Sequence, residues 1–425
     1  MEPLLTIAIP TYNRLPTLKK SLQRVLDYTE GHDEIELFVS DNASADGTKE
    51  YIEGLKKKYG NLNYYRNESN LGLDGNFLNC FRKAKGKYLW MISDDDYIME
   101  NAVELVLEVI VQEPVIVYCN SYVTEGMDDG PLAKGGITFL KDRNFFLKSL
   151  GHFITFVSGL VYNMSLVRKI EDLEQYKGEN LLLSHIALDI MRENGTYVLI
   201  KEHCMHESVS EVSYDYYQTY FYGMKRLIWG TAVSSGFDIN ALNDILYQML
   251  KWTLLDTVFY QKRSFLAEEK WDKNCVWDIL KDYPDLYQMY QLIIDVPRID
   301  LTENYLKVQK MRMNEAIAFC QQYEHIYLYG CGACGEIFYQ YLLEAGIGIK
   351  AVIVSDGEAK KEFHGLDVYY LSEVSINNKS DAIVVTPFGR TSRGIQNQLE
   401  PKSYHCYFNK FRMMINPVIG NWAWY

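Results

Sequence analysis

Lys87-Tyr88-Leu89-Trp90-Met91-Ile92-Ser93-Asp94-Asp95-Asp96 is the stretch that decides how this chain is read. Tyr88 to Ile92 is a short, unbroken apolar run, the pattern of a strand, and three adjacent carboxylates close it. Neighbouring negative charges repel, and at a strand end that repulsion costs free energy unless a cation or a hydrogen-bond network offsets it. Hard divalent cations take oxygen ligands, and Mg²⁺ is usually held by one or two carboxylates together with phosphate oxygens and water. A cation so placed bridges a diphosphate and neutralises charge on a leaving group. The plainer reading is an acidic turn capping a helix that starts near Glu100. The apolar strand before the triplet favours a site, because open α/β sheets bind ligands at the carboxyl ends of their strands.

Working outward, the same rhythm recurs. Leu4–Pro10 is an apolar run that enters Pro10-Thr11-Tyr12-Asn13-Arg14, a strand leading into a loop. Leu18, Leu22, Val25 and Leu26 have helical spacing. Ile35–Ser40 reads as a second strand, and Asp41-Asn42-Ala43-Ser44 supplies turn and N-cap residues. A helix to about Tyr59, a strand near Asn63–Arg66 and a helix over Asp74–Ala84 lead back to the Lys87–Ile92 strand. Strands alternating with helices predict an α/β fold, a mostly parallel sheet with helices on both faces.

Strands are expected at Val115–Cys119, Phe156–Tyr162 and Tyr197–Ile200, with a loop at Asp128-Asp129-Gly130-Pro131. Residues 214–323 read as amphipathic helices, for example Ala241–Phe259 and Glu303–Cys320. An α/β pattern restarts at Ile326–Tyr329, followed by Gly330-Cys331-Gly332-Ala333-Cys334-Gly335 and a helix, then a strand over Lys350–Val354 ending in Ser355-Asp356. That order, strand, glycine loop, helix and a second strand-end acid, has the context of a dinucleotide fingerprint; close helix–strand packing accounts for the glycines equally. The expected division is 1–213, 214–323 and 324–425, the last a small Rossmann-like domain.

Composition narrows the partners. A net charge of −13 repels polyphosphates, so nucleic acid is not an expected partner. The basic cluster Arg82, Lys83, Lys85 and Lys87 allows contact with anionic headgroups, though a solvated helix end explains it too. No run approaches the ~18 apolar residues that span a bilayer, and the first residues lack a signal-like pattern. A cytoplasmic protein is expected, and the eight cysteines, scattered apart from Cys331 and Cys334, fit reduced thiols. The 34 tyrosines suit sugar-stacking clefts, or simply core packing.

Other polar groups gather at strand ends. Asp41 either accepts a hydrogen bond from a nucleobase imide or caps the next helix. Pro10, Thr11 and Tyr12 form the adjacent wall, and Asn70-Leu71-Gly72 with Asn76 adds a glycine turn.

Together, Thr6–Arg14, Val39–Thr48, Asn70-Leu71-Gly72 and Lys87–Asp96 resemble, in order and spacing, the motifs of family 2 glycosyltransferases of the GT-A fold. The resemblance covers about the first 210 residues. It implies an inverting, metal-dependent transferase that uses a nucleoside-diphosphate sugar, most often a UDP sugar, with Mg²⁺ or Mn²⁺. By those motifs Thr11 and Asp41 would hold uridine, with Pro10, Tyr12, Arg14, Asn70 and Gly72 beside the nucleotide. Asp94 and Asp95 would lie by ribose and diphosphate, and Asp96 would bind metal, with Asp94 and His206 as further ligands. The family pattern, apolar-Asp-x-Asp-Asp, is displaced here by Ile92-Ser93.

Inversion also needs a base that takes the acceptor hydroxyl's proton. The family places an acid there, often in a Glu-Asp pair. The matching stretch is Gly178-Glu179-Asn180-Leu181, with Asn180 departing from the pair. Glu179 is the first candidate, His185 and Asp189 its rivals. The resemblance further implies surface-polysaccharide synthesis on a glycan or lipid-linked acceptor, peripheral to the inner membrane face; self-association is compatible with all of this. A non-catalytic scaffold is the alternative. A sugar nucleotidyltransferase is less apt, because Pro10–Arg14 is not a triphosphate-binding loop.

Overall fold

The protein is described by a computed structural model covering residues 2–122, 132, 135–208, 217–263, 273–387, 389–411, 413–416 and 422–424. The expected loop at Asp128–Pro131 lies outside these residues. Two compact units separate, Met1–Tyr247 with Asp272–Ile279, and Gln248–Trp271 with Leu280–Tyr425. Residues 214–323 are thus shared between the two.

Among the described residues the first unit holds a nine-stranded sheet. Its strands are β1 (Leu5–Thr11), β2 (Ile35–Asp41), β3 (Leu62–Arg66), β4 (Tyr88–Met91), β5 (Tyr97–Ile98), β6 (Ile116–Tyr122), β7 (Ile137–Leu140), β8 (Leu160–Asn163) and β9 (Tyr197–His206). The order is β3-β2-β1-β4-β8-β6-β9-β5, with β7 also on β9. β1, β2, β3 and β4 pair in parallel, as do β6 and β9; β8 runs antiparallel between β4 and β6. The expected mostly parallel α/β sheet is therefore present.

All seven residues of β1 and of β2 are buried, as strands covered on both faces must be. One face packs Leu5, Ile7, Ile9 and Trp90 against α1 (Leu15–Tyr28), α2 (Thr48–Lys56) and, beyond α3 (Gly72–Lys83), α4 (Ala102–Ile110). α1 begins with Pro16 in its first turn, where the missing N–H goes unnoticed, and buries Leu18, Leu22, Val25 and Leu26 as one stripe. On the other face Phe81 of α3 meets the Tyr162 ring edge-on at 5.2 Å. Further on come α5 (Arg143–Leu150), the short α6 (Met164–Val167) and α7 (Leu182–Ile190).

Two expected strands differ. Only Leu160–Asn163 of the 156–162 run is extended; Gly151–Thr155 and Val157–Gly159 are 3₁₀ turns. A Cβ at Gly159 would stand 2.8 Å from both the Phe156 and Tyr118 rings, so the chain enters β8 through a tightly packed turn. β9, read from sequence as ending at Ile200, continues to His206 because its polar half pairs with β5 and the end of β6. Among the described residues that follow the first sheet, 217–263 are mostly helical, with π-helical turns at Gln218–Gly223 and Leu227–Ala232.

The second unit is helical over Pro284–Ile294 and Leu301–Cys320 and then forms a five-stranded sheet. β10 (His325–Tyr329), β11 (Ile349–Val354), β12 (Val368–Tyr370), β13 (Asp381–Val385) and β14 (His405–Phe408) are all parallel, in the order β12-β11-β10-β13-β14. The buried Arg312 guanidinium is held by Asp256 at 2.6 Å, a desolvated pair that needs both partners.

Candidate active site

The carboxyl ends of β1, β2 and β4 lie side by side, since Thr11 registers with Asp41 and Ala8 with Met91. The chain leaving β4 therefore delivers Asp94, Asp95 and Asp96 beside the loop that follows β1. All three are nearly buried, at 3%, 6% and 5% exposure.

The Thr11 hydroxyl donates to Asp94 at 2.6 Å. Arg14 then spans two carboxylates, donating to Asp94 at 2.9 Å and to Asp95 at 2.6 Å. Asp96 is held from elsewhere, accepting from the Ser158 hydroxyl at 2.6 Å and the Ser208 amide at 2.9 Å. Ser158 itself accepts the Ser93 amide at 2.9 Å, locking the turn. Burial pushes the Asp94 carboxyl up to about 6, against the pull of Thr11 and Arg14. Burial likewise pushes Asp96 up to about 7, against the Ser158 and Ser208 hydrogen bonds, with Asp95 adding repulsion. Desolvation thus outweighs the pull of Arg14 and of the hydrogen bonds.

Those residues suit a divalent cation in one particular way. Among the described residues no group of three or more His, Cys, Asp or Glu side chains forms a metal cage. Two desolvated carboxylates with raised proton affinity match instead a cation that takes its remaining ligands from phosphate and water. His206 lies at the end of β9, where that strand pairs with β5. Its ring lies stacked between Tyr97 at 5.8 Å and Tyr122 at 4.8 Å, and it is the nearby Ser208 that reaches Asp96 from this strand end.

Asp41 is fully buried and closes the turn after β2 rather than capping α2, which starts at Thr48 with no side-chain cap. It accepts the Ser44 amide at 2.8 Å and the Tyr64 hydroxyl at 2.6 Å, with Arg66 at 3.5 Å. Burial, then Asp41, pushes the Tyr64 hydroxyl's pKa up. Pro10 is buried in β1, whereas Tyr12 is 41% exposed beside it. Asn70 and Gly72 belong to a web that sequence reading missed. Asn42 donates to Asn70 at 2.7 Å and accepts from the Leu71 amide and from Asn67, each at 2.9 Å. Gly72, at φ +74°, turns there in a conformation that disfavours a side chain.

Asp74 joins this turn to the candidate base. Its carboxylate accepts the Gly178 amide at 2.7 Å and the Asn180 amide at 3.2 Å, fixing the loop on which Glu179 sits. Its other oxygen is buried without a hydrogen-bond partner among the described residues. Glu179 is itself buried, ion-paired with Arg226 and 3.3 Å from His185 Nε2. His185 Nδ1 lies 2.7 Å from the Thr231 hydroxyl, and the Tyr176 ring stacks on the imidazole at 5.2 Å. Asp189 is drawn aside, accepting from Tyr176 at 2.6 Å and pairing with Arg192. The structure so brings Glu179 and His185 together and leaves Asp189 a turn further along α7. Gly223 is what lets the helical segment approach: a Cβ there would lie 3.0 Å from Leu181 and 3.4 Å from Glu179.

Residues 6–170 match Glycosyl transferase family 2. Among curated proteins, the abequosyltransferase RfbV of Salmonella typhimurium is 34% identical over 118 residues, 28% of this chain and 35% of that protein. A GalNAc(5)-diNAcBac-PP-undecaprenol beta-1,3-glucosyltransferase of Campylobacter jejuni is 28% identical over 107 residues, 25% of this chain and 34% of that protein. The chain thus matches about a third of these relatives' length. Among solved structures, S. aureus TarS 1–349 in complex with UDP-GlcNAc superposes with a TM-score of 0.51 at 16% identity, over 75% of this chain and 92% of that one. That likeness shows a shared GT-A fold. The matched residues carry β1 to β8 of the N-terminal sheet and its acid-rich strand end, so it is this part of the chain that is similar to Glycosyl transferase family 2.

Proposed function

We propose that this protein transfers a glycosyl group from a nucleoside-diphosphate sugar, a UDP sugar, to a hydroxyl of a glycan or lipid-linked acceptor, with inversion, in surface-polysaccharide synthesis. The observation that carries this reading is the desolvated Asp94–Asp96 cluster at the end of β4, within a family 2 domain. Similar proteins support it, among them the abequosyltransferase RfbV and the Bacillus subtilis teichuronic acid biosynthesis glycosyltransferase TuaG.

In this reading Thr11 and Arg14 hold Asp94 and Asp95 in place, and the exposed Tyr12 ring flanks the nucleotide. Asp96 and Asp94 would hold a divalent cation, Mg²⁺ or Mn²⁺, which supplies charge neutralisation to the departing diphosphate. Glu179 takes the acceptor's proton, and His185, fixed by Thr231 and Tyr176, orients it. The Arg226 pair must open for Glu179 to do so. A helix long and apolar enough to cross a membrane is absent among the described residues; the proposed place of action is the cytoplasmic side, peripheral to the inner membrane.

The test is release of UDP from a panel of UDP sugars with Mn²⁺. One sugar is expected to be hydrolysed slowly without acceptor, and faster with it. A protein that releases UDP from none of them is a binding scaffold instead.

A further inference from the structure

A cavity of about 1010 Å³ opens on the first unit between α7 and the helical segment that carries the two π-turns. Tyr222, Arg226 and Trp229 line it from that segment, while Tyr176, His185 and Asp189 line the other side. We propose that this cavity binds the body of a neutral oligosaccharide, and so holds the acceptor chain beyond its attacking hydroxyl. This purpose rests on the glycosyltransferase reading; the binding itself does not.

Three observations converge on it. The first is the distribution of side chains. Phe221, Met224, Leu227 and Ile228 are buried, so the segment spends its apolar residues on the core. Yet Tyr222 is 44% exposed and Trp229 half-buried, both turned to the cavity. Large aromatic rings with a polar edge, presented at a concave surface, suit the alternating C–H faces and hydroxyls of a sugar ring.

The second is charge. The lining carries four cationic side chains and four carboxylates. Arg192 pairs with Asp189, Lys225 with Asp278 at 3.2 Å, and Arg226 with Glu179 beyond the lining. A polyanion would meet as many repelling as attracting groups, and an apolar tail would strand the charges without water. Hydroxyl groups, which donate and accept alike, can answer both signs.

The third is position. His185 and Arg226, the two partners of Glu179, are both wall residues. A ligand in the cavity therefore touches the groups that fix the candidate base. The wall also carries π-helical turns at 218–223 and 227–232, irregularities that recur at functional sites.

The full-length chain is to be tested on an array of neutral and anionic bacterial oligosaccharides. Binding to neutral glycans is expected, weakened roughly tenfold or more in Trp229→Ala and in Tyr222→Ala, and restored in Trp229→Phe. Thermal stabilisation by Mn²⁺ with UDP should be unchanged in all three variants. Failure to bind any neutral glycan, a preference for anionic ones, or full binding by both alanine variants would overturn the proposal. Loss of the UDP response in the wild-type protein, with glycan binding intact, would instead count against the donor site and leave the cavity standing.

Discussion

Two strand ends in this molecule look alike in sequence and differ in physics. β4 runs out into Ser93-Asp94, and β11 into Ser355-Asp356. At the first, the acids are buried, and burial drives Asp94 and Asp96 well above the ordinary carboxylate range. At the second, Asp356 is exposed and accepts both the amide and the hydroxyl of Ser372, at 3.1 and 2.7 Å, which hold its carboxyl below that range. A carboxylate satisfied by its own loop asks for nothing more. One that is desolvated beside two others takes up a proton or a cation more readily, which favours a site at the end of β4.

The glycine loops differ in the same sense. Gly72 turns at φ +74° with open space where a side chain would be, next to the asparagine web. Gly335 is demanded by packing: a Cβ there would stand 2.3 Å from the Gly330 carbonyl oxygen.

These contrasts can be broken by measurement. The largest effect is expected from Asp94→Asn, which removes the negative charge that Arg14 faces; UDP release from the preferred sugar should fall on the order of 10²-fold. Next comes Gly335→Ala. Overpacking against backbone should cost about 1–3 kcal/mol in chemical denaturation, without changing the UDP response of the first unit. An unchanged midpoint would contradict the close approach of Gly335 to the Gly330 carbonyl oxygen.

pH offers a subtler probe. In the folded protein Asp94 and Asp96 bind protons more tightly than in the unfolded chain. Their contribution to stability is therefore complete below about pH 4 and lost as pH rises through about 6 and 7. Cation binding requires the same groups ionised. The gain in Tm from Mn²⁺ with UDP should accordingly grow between pH 5.5 and 8, and a flat profile would contradict the raised values. The smallest effect belongs to Asp356→Asn, where neither Tm nor UDP binding should move; a marked loss of nucleotide binding would erase the contrast between the two ends.

Local pattern carried much of this structure. The unbroken Tyr88–Ile92 run, the helical spacing of Leu18 to Leu26 and the turn residues after Ser40 each correspond to an element found where expected. What stayed hidden depends on partners distant in sequence. Arg14 meets Asp94 across 80 residues, and Ser158 meets Asp96 across 62. Ser158 sits in no periodic pattern that sets it apart. The polar half of β9 is extended only because β5 and β6 offer it pairs, and β5, two residues long, is too short to announce itself. The Glu179–His185–Thr231 chain needs a helix 46 residues beyond the histidine, so the sequence could put Glu179 ahead of His185 and Asp189 by its motif alone and not by the partners that hold it.

Calorimetry of UDP with Mn²⁺, on the wild-type chain and on Asp96→Ala, bears most directly on the claim that crowded acids at the end of β4 share a cation with a diphosphate. Binding to the wild type that requires the metal, and vanishes in the variant, is the predicted result. Equal affinity in both proteins, or binding indifferent to Mn²⁺, would contradict it.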